Sequence, residues 1–112
     1  MKPFEIFNCQ PPGWSEPHPC VIVSNPDRAG RKNPVEVLMC STQRAERRPE
    51  AHEMLLDAAD GLDWQTLCKC DVIYAVPRTE LKHRRGEVSP ARRPQLVRQI
   101  IAAHAWGGIL AG

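Results

Sequence analysis

Eleven prolines in a chain of 112 residues limit what it can fold into more than any other feature. Proline fixes φ and lacks a backbone donor, so it is kept out of helix interiors and central strands. The elements must be short and joined by many turns. The apolar runs between the prolines agree. Phe4–Cys9 is β-type and ends at Pro11-Pro12-Gly13; Trp14–Pro17 follows as a loop. Cys20-Val21-Ile22-Val23 is a continuous β-branched run of the kind a buried strand carries, closed by Ser24-Asn25-Pro26. A polar stretch containing Gly30 leads to a third strand, Val35–Cys40. After the polar segment Ser41–Glu53 come a short strand at Met54–Leu56, an Asp60-Gly61 turn and an alternating strand at Thr66–Tyr74. Val76–Leu81 reads as one helical turn and His83–Val88 as a sixth extended segment.

Helical periodicity is confined to one place. Ser89-Pro90 supplies an N-cap with proline at the first helical position. Leu96, Val97, Ile100, Ile101, Ala103 and His104 then repeat at helical spacing as far as Trp106, and Gly107-Gly108 is the expected stop. The expected fold is therefore mostly β: a small antiparallel curved sheet or barrel with a C-terminal helix packed on it. The length fits a single domain over residues 1–112, with 107–112 as a frayed tail.

Composition excludes several classes. The chain is 42% hydrophobic and 25% charged, enough apolar material to bury a core. No apolar run approaches the roughly 20 residues of a membrane span. The start, MKPFEIFNCQ, has no apolar core and no cleavage site, so a cytoplasmic rather than exported protein is expected. The five cysteines, Cys9, Cys20, Cys40, Cys68 and Cys70, are odd in number and lack zinc-type spacing. Buried reduced thiols are expected, with no metal and no cofactor.

The net charge of +2 conceals an asymmetry. Residues 50–63 carry Glu50, Glu53, Asp57, Asp60 and Asp63 and no cation, whereas 82–98 carry Lys82, Arg84, Arg85, Arg92, Arg93 and Arg98 against Glu87. A further cluster, Arg44, Arg47 and Arg48, falls in a loop. Arginine's planar fork suits phosphate; any one cluster reads equally as a solvated surface, but several in so small a domain raise an anionic partner such as nucleic acid above the base rate. The acidic stretch would repel RNA and is placed on the opposite side or rim.

Four stretches then act together. Phe4–Cys9 with Gly13-Trp14-Ser15-Glu16, the run His18-Pro19-Cys20-Val21-Ile22-Val23-Ser24-Asn25, the strand end Met39-Cys40-Ser41-Thr42, and Leu56 through Gly61-Leu62 to Cys70-Asp71-Val72-Ile73-Tyr74-Ala75-Val76 and Leu81 follow one order. With Gly86-Glu87-Val88-Ser89 before the helix, this order resembles the MazF/PemK (Kid-like) toxin family, whose SH3-like barrel fold is shared with CcdB. The resemblance covers roughly residues 4–106. It implies a homodimeric toxin, held by an antitoxin protein, that cleaves single-stranded RNA without metal: the ribose 2′-OH attacks the adjacent phosphorus, leaving a 2′,3′-cyclic phosphate and a 5′-OH. That chemistry needs a base, an acid and positive charge. The family's strand-start arginine and strand-end threonine correspond here to His18 and Ser41, and a second family arginine to Tyr74. Histidine, with an ordinary pKa of about 6.5, is a better base than arginine and a poorer fixed charge. His18 and Ser41 are thus the candidate catalytic pair, and Trp14, Arg44, Arg47, Arg48 and Tyr74 the candidate RNA contacts. The departures leave open a catalytically silent RNA- or protein-binding member of the fold. A CcdB-like gyrase poison is a third reading, disfavoured by the C-terminal run Trp106–Gly112.

Overall fold

In the computed structural model, which describes residues 1–41 and 47–111, six strands form one antiparallel sheet. They are β1 (Glu5–Cys9), β2 (His18–Ile22), β3 (Val35–Cys40), β4 (Glu53–Leu56), β5 (Thr66–Val76) and β6 (Lys82–Glu87). The order across the sheet is β4-β5-β3-β2-β1-β6. Helix α1 (Pro26–Arg31) links β2 to β3, and α2 (Arg93–His104) and α3 (Trp106–Ala111) follow β6.

The central strands are mostly apolar because both faces of the sheet are covered, with Glu36 on β3 held by Ser24 and Arg28. Val21, Leu38, Cys68 and Cys70 point to one side and pack with Ile6, Leu56 and Leu96 of α2. Cys20, Ile22, Val37 and Met39 point to the other and pack with Ala29 of α1, Val76 and Leu81. All five cysteines are buried free thiols divided between these two cores, small apolar residues in function. The Cys40 contact raises the Cys68 thiol and the Cys68 contact raises that of Cys70, and burial pushes both further up.

Several local expectations are corrected. Residues 26–31, read only as a polar stretch, form α1: Asn25 accepts the Arg28 amide at 2.9 Å, and Pro26 stands at the first helical position. Arg78 then clasps the far end of α1, donating to the carbonyls of Ala29 at 2.7 Å and Arg28 at 3.0 Å. At the other terminus, α2 ends before the glycine pair. Ala105 takes the left-handed conformation (φ 43°, ψ 46°) and its amide returns to the Ile101 carbonyl. The residues expected to fray form α3 instead. Ser89, the expected cap, makes no side-chain capping bond; its amide donates to Asp60 Oδ1 at 2.8 Å.

Candidate functional site

The register of β2 on β3 pairs Cys20 with Met39, Val21 with Leu38 and Ile22 with Val37. Continued outward, it sets His18 across from Ser41. Both occupy strand ends, where the backbone leaves the sheet and side chains become reachable. Ser41 is fixed through its backbone: its amide donates to the Leu67 carbonyl at 3.0 Å, and the Thr66 hydroxyl donates to the Ser41 carbonyl.

The imidazole of His18 lies 3.0 Å, through Nδ1, from the Cys40 carbonyl. A carbonyl can only accept, so Nδ1 carries the proton and the neutral ring keeps its lone pair on Nε2. Nε2 is 4.0 Å from Glu16 Oε1, a carboxylate placed to stabilise the imidazolium once a proton is taken up. The ring is further held edge-on against Trp14, with centroids 4.6 Å apart. Trp14 in turn meets Tyr74 edge-on at 6.0 Å. Trp14, His18 and Tyr74 thus form one row, with Trp14 and Tyr74 resting on the second core.

The arginines are placed differently from the sequence expectation. Arg44 lies outside the described residues. Arg47 turns inward and grips Glu53 with both nitrogens, at 2.6 and 2.8 Å. Glu53 is 1% exposed and also receives Lys69 and the Glu50 amide. The Arg47 fork, together with Lys69, holds its carboxyl far below the usual carboxylate range. Arg92 binds Asp57 and the buried Asp60 in the same manner, Arg85 binds Asp63, and Arg84 binds Glu5. The acidic stretch is therefore not apart from the arginines: Glu53, Asp57, Asp60 and Asp63 are their partners, while Glu50 pairs with His52. A buried carboxylate away from water needs a cation or donor beside it, and these side chains meet that need. Arg48 remains exposed, with no ion pair among the described residues.

A pocket of about 140 Å³ lies beside Ser41 and was not expected from the sequence. Asn8, Pro19, Asp63, Trp64 and Arg85 line it with Ser41. The tryptophan three residues after the Asp60-Gly61 turn, in Asp60-Gly61-Leu62-Asp63-Trp64, is the sequence signal that could have found it.

Three acidic and basic side chains, Glu50, His52 and Glu53, bring ligand atoms within 4.8 Å of one another. Glu53 already satisfies two cations and an amide, so the group is accounted for as an ion-pair network.

Comparison with known proteins agrees with this fold. In sequence, no curated protein matches. Among solved structures, an endoribonuclease from a mycobacterial species, solved in complex with its cognate antitoxin, superposes with a TM-score of 0.78 at 22% identity, covering 92% of this chain and 93% of that one. The Mycobacterium tuberculosis toxin MazF-mt6 superposes with a TM-score of 0.75 at 23% identity, covering 88% and 94%. The family described as PemK-like, MazF-like toxins of type II toxin–antitoxin systems matches residues 2–104. Extending over nearly the whole chain and consistent with the sheet order and the paired strand ends, that match means that the chain belongs to the PemK-like, MazF-like toxin family of type II toxin–antitoxin systems.

Proposed function

We propose that this toxin is an endoribonuclease that cleaves single-stranded RNA by transesterification, with His18 as base and Ser41 as a hydrogen-bonding partner of the phosphate. The observation that carries this reading is the bond from His18 Nδ1 to the Cys40 carbonyl. It leaves Nε2 as the proton acceptor at the strand end that also carries Ser41. In the reaction, Nε2 takes the 2′-OH proton as that oxygen bonds to phosphorus. The P–O5′ bond breaks and the departing oxygen takes a proton from water while the imidazolium releases its own to solvent, leaving a 2′,3′-cyclic phosphate and a 5′-OH. No step in this route calls for a metal. Glu16 steadies the imidazolium between the two transfers. Trp14 and Tyr74 offer aromatic faces for bases.

The reading includes a homodimer acting in the cytoplasm and inhibited by an antitoxin protein. Support for the dimer comes from unpartnered apolar surface. Val97 and Ile101 on α2 and Trp106, Ile109 and Leu110 on α3 are exposed, as are Val72 and Ile73 on the part of β5 that runs beyond its pairing with β4. Such patches mark association surfaces, and two-fold dimers are the commonest assemblies. No helix among the described residues is long and apolar enough to cross a membrane.

The test is incubation of the purified protein with mixed RNA in EDTA, with mapping of 5′-OH ends. His18→Ala should lower cleavage by about 10²-fold or more. Full activity in that variant removes His18 from the mechanism. Higher activity in His18→Arg than in the native chain would favour the silent binding-protein reading.

A further inference from the structure

Beside Ser41, the pocket of about 140 Å³ is built at the meeting of two chain segments, the turn Gly61–Trp64 and strand β6. The contact between them is backbone on backbone. A Cβ on Gly61 would lie 2.7 Å from the Arg85 carbonyl oxygen, and one on Gly86 would lie 2.3 Å from that of Asp60. The turn is further anchored by the Asp57–Asp60 capping box, by Arg92 across both carboxylates, and by the buried Leu62. What this rigid support presents outward is Trp64, 47% exposed, and Asp63. Arg85 faces them from β6, donating to Asn8 Oδ1 at 3.1 Å and Asp63 Oδ2 at 3.0 Å.

The electrostatics select the guest. The Arg85 charge is already offset by Asp63, so a phosphate would have to break that pair and lie against a carboxylate. A neutral guest meets no such conflict. Arg85's remaining N–H groups, the Asn8 amide and Asp63 supply donors and an acceptor beside an aromatic face. A planar, neutral, polar-edged ring fits that combination, and a cavity of about 150 Å³ is enough to admit one aromatic ring.

We propose that Asn8, Asp63, Trp64 and Arg85 form a nucleobase slot that takes one base of the RNA next to the cut, stacked on Trp64 and read at its edge by the Arg85–Asp63 pair. The proposal rests on the RNA-cleavage reading above and adds the residues that set sequence preference.

The experiment measures binding apart from cleavage. A fluorescent mixed-sequence 2′-O-methyl oligoribonucleotide lacks the attacking hydroxyl, and its anisotropy reports affinity alone. Trp64→Ala should weaken binding by about 5- to 150-fold, the range for losing one base–aromatic stack, and Trp64→Phe should restore most of it. In the cleavage map of cuttable RNA, Asp63→Asn should flatten the preference at one position next to the cut and leave other positions unchanged. Urea midpoints equal to the native chain's would show that the exposed Trp64 is not a folding residue. Native-level binding by Trp64→Ala overturns the slot while the RNA reading stands. Failure of the native chain to bind the oligonucleotide removes the RNA reading and the slot with it. Native RNA binding with loss of antitoxin binding alone would reassign Trp64 to a protein interface and also overturn the slot.

Discussion

Replacing Gly86 with alanine tests whether the backbone contact under the Trp64 turn is as close as it looks. The new Cβ would sit 2.3 Å from the Asp60 carbonyl oxygen, 2.9 Å from the Gly61 Cα and 3.1 Å from the Asp60 carbonyl carbon. All three are main-chain atoms, so no flexible side chain can give way. A comfortable C···O approach is about 3.3 Å, so the two segments must part by about 1 Å. Asp60 cannot follow freely. Its buried carboxylate accepts from Arg92 and from the Ser89 and Asp57 amides. Overpacking costs about 1–3 kcal/mol, and loosening one charged hydrogen bond adds about 1.5–3 kcal/mol. Relief of glycine's excess chain entropy returns about 0.5–1 kcal/mol. The net expectation is a loss of about 1.5–5.5 kcal/mol, a large share of the usual 5–15 kcal/mol. With a urea slope of about 2 kcal/mol/M, the middle of the usual range, the unfolding midpoint should fall by roughly 1–3 M. Gly30→Ala is the matched control: nothing lies within 4 Å of its added Cβ, and in α1 it should gain about 0.5–1 kcal/mol. A Gly86→Ala midpoint within about 0.3 M of native, or equal effects from the two variants, would refute the close contact.

Acid should destabilise the fold through its paired carboxylates. Glu53, Asp57, Glu5 and Glu36 are all held below their ordinary values, chiefly by Arg47, Arg92, Arg84 and Arg28, although burial opposes this and for Glu5 is the largest single influence. Their contribution is complete above the unfolded carboxylate range of about 4 and is lost as pH falls through the lower folded values. The urea midpoint should therefore drop steeply below about pH 4, and the drop should be smaller in Glu53→Gln, which should cost about 2 kcal/mol at neutral pH. Leu96→Ala, at a fully buried position joining α2 to the sheet, should cost about 2–5 kcal/mol by thermal or urea melts. In salt titrations of RNA binding, Arg48→Ala should flatten the log–log slope by about 0.7, whereas Arg47→Ala should lower stability and leave the slope nearly unchanged. The opposite pattern would place Arg47 in the RNA groove.

Strand positions were legible because burial on both faces writes itself as uninterrupted apolar runs. Val35–Cys40 is recovered to the residue, and Cys20–Val23 within two. The C-terminal helix was legible from its periodicity, but its end was not. Ala105 in a left-handed turn has no marker, and the glycines that usually supply one stand two residues later. Helix α1 went unread because six residues containing Gly30 give no periodicity, even though the Asn25-Pro26-Asp27 start signal is there. At the site, the order of strands carried His18 to Ser41. The Nδ1 bond to the Cys40 carbonyl was invisible, since any backbone carbonyl serves and none is encoded by a side chain. Asn8 and Arg85 met for the same kind of reason: they sit on paired edges of β1 and β6, whose register slips between Ile6 and Asn8.

Charge was the feature most open to misreading. Counting arginines by position suggested surfaces for phosphate, and counting carboxylates suggested a separate acidic face. The two populations are one network, because Glu53 and Asp60 are buried and a buried carboxylate is costly without a cation. Arg47, Arg84, Arg85 and Arg92 are therefore committed before any RNA arrives. Two consequences bear on how this toxin would hold RNA. On the reading proposed above, the charge left for phosphate is that of the cations outside these pairs, Arg48, Lys82 and Arg98 among them, so backbone attraction would supply less of the affinity than the arginine count suggests. The surface near His18 and Ser41 is instead rich in aromatic faces, Trp14, Tyr74 and Trp64, and stacking on such faces is nearly independent of salt. If the proposed cleavage reading holds, a site with a neutral base in place of the family's arginine and paired arginines around it would be one where bases, rather than phosphates, fix the register of the strand.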